Sequence, residues 1–185
     1  MRALPGFGSA APGFDAPLEL LAACHERIAA QLATLERLVS HVAARGCDAE
    51  ARAAALGVMR YFDTAGAKHH QDEEEDLFPV LRVHAAGQGA TELLATLEQL
   101  QRDHHIMDAA YAGLRVRLAD IAEGRAARLD AGKVAHFAWI YRRHIGRETE
   151  NVLPFAELVL GAQQRALLGA SMAARRGAAP ATLGA

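Results

Sequence analysis

His70-Gln71-Asp72-Glu73-Glu74-Glu75-Asp76-Leu77-Phe78-Pro79 sets a histidine and a glutamate four residues apart and ends on an apolar-proline stop. The arrangement returns as His144-Ile145-Gly146-Arg147-Glu148-Thr149-Glu150-Asn151-Val152-Leu153-Pro154. Residues four apart share one face of an α-helix, so each stretch presents an imidazole and a carboxylate together. A lone histidine on an apolar stripe precedes each one: His25 lies 45 residues before His70, and His104 lies 40 before His144. Gaps so nearly equal are what a duplicated helix pair leaves behind.

Around these stretches apolar residues recur at three and four, and alternating strand-like runs are missing, which predicts an all-α chain. Turn formers cluster at Arg45-Gly46-Cys47-Asp48, Ala86-Gly87-Gln88-Gly89 and Glu123-Gly124-Arg125. They divide the chain into helices over 17–44, 49–85, 91–122 and 131–160, with Asp48 and Asp130 as N-caps. Connections this short make neighbouring helices antiparallel, so residues 17–160 are expected to form an up-down-up-down four-helix bundle. A short fifth helix over 163–176 and a frayed tail occupy 161–185, and residues 1–16 read as a flexible arm. Pro79 and Pro154 fall late in the second and fourth helices, where each should kink the chain or open its last turns.

At 185 residues the chain is expected to be one domain. Its net charge of −2 and the lack of a basic stripe argue against nucleic acid or an anionic membrane as partner. No run approaches the roughly twenty apolar residues that span a bilayer. Cys24 and Cys47 stand in neither a metal-ligand nor a redox spacing, which favours a reducing cytoplasm. A small molecule is the partner left, and the sequence is silent on oligomeric state.

Helical phase separates inward from outward histidines. His25 shares its stripe with Leu18, Leu21, Ile28 and Leu32, and His104 shares its own with Leu97, Leu100, Met107 and Leu114. The second helix offers two overlapping pairs, His69 with Glu73 and His70 with Glu74. Alignment with Leu56, Met59, Ala67, Leu77 and Leu81 selects His70 and Glu74 as inward and leaves His69 on the flank. Of the five acids in 72–76, three are then expected to be a solvated face. His144 and Glu148 align with Phe137, Tyr141 and Phe155. His69, Asp63, Asp108, Tyr111 and Tyr141 are candidates to support the site from behind or beside the ligands.

A single inward histidine is ordinarily a core residue bonded to a carbonyl; four meeting in one bundle with two carboxylates suggest a metal centre. The expected ligands are His25, His70, Glu74, His104, His144 and Glu148, two imidazoles per ion with each glutamate bridging. Such an environment suits Fe(II) and leaves coordination positions open. Two iron ions joined by an oxo or hydroxo group are expected, with manganese or zinc as the other metals such donors accept.

His25, the run from His69 to Pro79, Asp103-His104, and His144 to Glu148 ahead of Leu153-Pro154 resemble the hemerythrin-like, or HHE cation-binding, family over about residues 18–160. The resemblance implies a non-heme di-iron centre in an antiparallel bundle. The family's activities include binding dioxygen, sensing oxygen or iron, responding to nitric oxide and helping to repair iron–sulfur clusters. The residue four after His104 is Asp108 rather than the second histidine of the oxygen carriers, and Glu148 follows His144 by four rather than five. This resembles the bacterial four-His, two-Glu branch. The expectation is a protein that binds, senses or reacts with dioxygen, nitric oxide or peroxide, with turnover left open. Iron storage or donation and cluster repair are alternatives. A ferritin-like oxidase is another, but the Glu-x-x-His pairs it uses are missing from the sequence.

Overall fold

The computed structural model describes residues 12–125 and 128–178. Most of the expected N-terminal arm (1–11) and the end of the tail (179–185) lie outside the described residues. Five helices follow in order: α1 (Pro17–Arg45), α2 (49–88), α3 (Thr91–Ala122), α4 (131–159) and α5 (Ala162–Arg175). No strand occurs among the described residues. Helix α1 packs on α2 and α4, and α3 packs on both as well, closing an antiparallel ring of four. Helix α5 lies across α1 and the middle of α2.

The boundaries follow local chemistry. Pro17 opens α1, where its missing N–H is no loss. The Asp48 side chain accepts from the Ala51 N–H at 2.9 Å to start α2, and Asp130 accepts from Lys133 at 3.0 Å to start α4. Gly46 and Gly89 supply the left-handed φ of 69° and 66° that reverses the chain after α1 and α2.

Two helices are not uniform. Helix α2 widens to π-turns at Phe62–Gly66 and Asp72–Leu77, and α4 does so at Glu148–Val152. Pro79 and Pro154 stand just after two of these turns. Proline cannot donate to the carbonyl four residues back and would collide with it; a turn holding one extra residue relieves the conflict without ending the helix.

The apolar core falls into two parts. One is built around Leu32, Leu35, Val58, Phe62, Leu118 and Phe137. The other gathers Leu21, Phe78, Leu81, Leu97, Ala156 and Met172. Between them, at the level of His25, His69, His104 and His144, every helix of the ring contributes buried polar side chains. A belt of titratable groups between two hydrocarbon plugs is costly unless the groups find partners.

Candidate metal centre

Six side chains converge in that belt. His25, His69, Glu73 and Glu148 form one group whose ligand atoms all lie within 4.8 Å of one another, and Glu73, His104, His144 and Glu148 form a second. The carboxylates belong to both. Glu148 sets Oε2 3.1 Å from His25 Nε2 and Oε1 3.1 Å from His144 Nε2. Glu73 sets Oε1 3.2 Å from His69 Nε2 and Oε2 3.3 Å from His104 Nε2. The Nε2 atoms of His104 and His144 face each other at 3.1 Å.

His25, His104, His144 and Glu148 are brought together as the sequence suggests, but on α2 the roles are exchanged. His69 and Glu73 enter the cluster, while His70 and Glu74 do not. The inward face follows Ala51, Ala55, Val58, Phe62 and Gly66, all buried, and His69 lies three residues beyond Gly66 on that stripe. Leu56, which supported the other register, is 54% exposed, and Ala67 is exposed too. Each π-turn also takes in one extra residue and so retards the helical phase by about 100°. A straight projection from Leu77 and Leu81 back to His70 therefore crosses a phase slip at 72–77.

The displaced pair still serves the site. Glu74 Oε1 lies 2.6 Å from His104 Nδ1, which holds that ring with Nδ1–H donating outward and Nε2 aimed into the cluster. His70 stacks on the His104 ring at 4.0 Å between centroids, with Nε2 3.5 Å from the Tyr141 hydroxyl and Nδ1 3.8 Å from Asp108. Tyr141 and Asp108 thus reach the site through His70. Asp63 and Tyr111 do not: the Tyr111 hydroxyl donates to Asp63 at 2.8 Å, and Arg115 closes the same carboxylate at the surface. Their contacts brace the first π-turn.

Asp103, which enters the sequence pattern only as the neighbour of His104 and not as a site residue, is fully buried. It accepts from Gln99 at 2.8 Å and Arg143 at 3.0 Å, and its Oδ2 lies 4.0 Å from His144 Nδ1. A carboxylate directly before an inward histidine was the available signal.

Burial drives the His69 imidazole down to about 3, so it stays neutral with a lone pair to give. Burial and the neighbouring Glu148 charge push Glu73 well above the usual carboxyl range. Burial also opposes ionisation of Glu148, but the His144 and His25 imidazoles outweigh it and hold that carboxyl well below the range. Both Glu148 oxygens, Glu73 Oε2 and His25 Nε2 are buried without a hydrogen-bond partner. Leaving each such atom unsatisfied costs about 1–3 kcal/mol. Converging imidazole and carboxylate lone pairs relieve that cost by sharing cations, and the six residues fit a pair of ions.

A ring of four antiparallel helices with a buried four-His, two-Glu cluster defines a metal-binding bundle. The chain belongs to the hemerythrin HHE cation-binding domain family, whose model matches residues 16–156. It is also similar to an uncharacterized protein of Haemophilus influenzae, 28% identical over 163 residues that cover 88% of this chain and 91% of that relative. No helix among the described residues is long and apolar enough to cross a membrane.

Proposed function

We propose that the protein holds two iron ions and binds or senses a small molecule such as dioxygen or nitric oxide. His25 and His69 would hold one ion, His104 and His144 the other, and Glu73 and Glu148 would bridge them. The observation that carries this reading is the sharing of both carboxylates, each of which turns one oxygen to one histidine pair and one to the other. Nitrogen and carboxylate donors without thiolate favour iron and leave room for an exogenous ligand. Iron held this way supplies reversible small-molecule binding and electron exchange.

The chain's own residues set the terms of access. The two apolar plugs exclude water from either end of the belt. Between α2 and α3 the cover is thinner: Glu74 is 29% exposed, and Asp108, 72% exposed, reaches toward buried His70. A small ligand approaching there meets the His70 ring and the Tyr141 hydroxyl before the metal ligands.

Anaerobic purification, metal analysis and optical spectroscopy test the reading. Stoichiometric iron with an absorption that shifts on adding dioxygen or nitric oxide is the expected outcome. Zinc held stoichiometrically and unresponsive to either gas would overturn it.

A further inference from the structure

We propose that α5, which lies beyond the segment matched by the family, is part of the metal centre's scaffold, with Arg175 and Arg176 positioning the π-turn that delivers Glu73. The inference rests on the proposed metal centre and adds to it a dependence on the C-terminal helix.

Asp72 precedes Glu73 and is completely buried. Its carboxylate accepts from Arg175 Nη1 and from both terminal nitrogens of Arg176, one of them at 3.1 Å. Arg175 extends its other nitrogen to Asp76 Oδ2 at 2.7 Å and to Glu75 Oε2 at 2.9 Å. One guanidinium thus grips acids at 72, 75 and 76, along the π-turn Asp72–Leu77. Fork-shaped donors against carboxylates fix geometry as well as charge. Helix α5 is itself seated by Leu168 and Met172 in the apolar core.

A π-turn is uncommon and persists where its surroundings over-determine it. Here the turn places Glu73 between two histidine pairs while its neighbour Asp72 points the other way, into the arginines. Removing the guanidiniums would release the acids at 72, 75 and 76 from their common grip, letting the turn relax toward a regular helix, and would also leave Asp72 as an unpaired buried charge. Glu73 would move with it.

The test uses the full chain and Co²⁺ as probe, following affinity by competition with a chelator and ligand geometry by the visible Co²⁺ spectrum. Arg175→Met/Arg176→Met is expected to bind about 10- to 100-fold more weakly, with an altered spectrum. Leu118→Ala opens a hole in the other half of the core, away from α5, and is expected to lower Tm while keeping wild-type affinity and spectrum. Should the arginine variant be too unstable to assay, adding Asp72→Asn removes the orphaned charge; stability should recover and affinity should not. Wild-type affinity in the arginine variant, equal metal loss in Leu118→Ala, or recovery of affinity with Asp72→Asn would each overturn the proposal. Wild-type protein that takes up no Co²⁺ would instead sink the metal-centre reading.

Discussion

Glu73 and Glu74 are neighbours in the chain with opposite tasks. Glu73 turns both oxygens into the belt, and Glu74 steadies His104 from outside it. Glu73→Ala and Glu148→Ala should therefore abolish stoichiometric metal, as metal analysis of purified protein would register. Glu74→Ala should retain both ions and bind them about 10- to 100-fold more weakly, measured by chelator competition. His69→Ala should lose metal where His70→Ala keeps it, and the opposite pattern would restore the register suggested by Leu56 and Met59. The lone inward histidines were legible because each sits on an unbroken α-helical stripe. The choice within His69-His70 was not, because the small residues Ala51 and Ala55 mark the buried face while the larger Leu56 is exposed.

At the scale of elements, Gly and Asp positions announced nearly every helix end, and the caps at Asp48 and Asp130 form as expected. Asp48→Ala should lower the midpoint of chemical denaturation and leave metal content unchanged. The π-turns were illegible: proline signals a local conflict, but whether the helix breaks, bends or widens is settled by packing. The run 72–76, three of whose five acids read locally as a solvated face, is mostly buried or half-buried for a related reason. Asp72, Glu75 and Asp76 find cations about a hundred residues away in sequence, beyond any local pattern. Helix α5 also meets the backbone just ahead of α1. Gly169 lets the backbone carbonyl of Phe14 lie against α5, where a side chain would overlap it. Gly169→Ala should destabilise by about 1–3 kcal/mol in urea denaturation and speed proteolysis ahead of Pro17.

For the whole molecule, ligands from α1, α2, α3 and α4 make metal binding and folding linked equilibria. Metal saturating the folded chain at a hundred times Kd should add about 2.7 kcal/mol of stability, so chelation should lower Tm by several degrees in calorimetry, reversibly on re-addition. An unchanged melt would mean that the folded chain holds no ion or that the unfolded chain binds it equally well. The division of the core into two apolar plugs has a kinetic corollary. Each plug can consolidate on its own, leaving the polar belt as the last layer to close, so the metal-free protein should behave as two firm caps around a slack waist. Hydrogen exchange would then be fastest at the waist, and cargo could enter or leave by local breathing there, without the ends of the barrel ever coming apart.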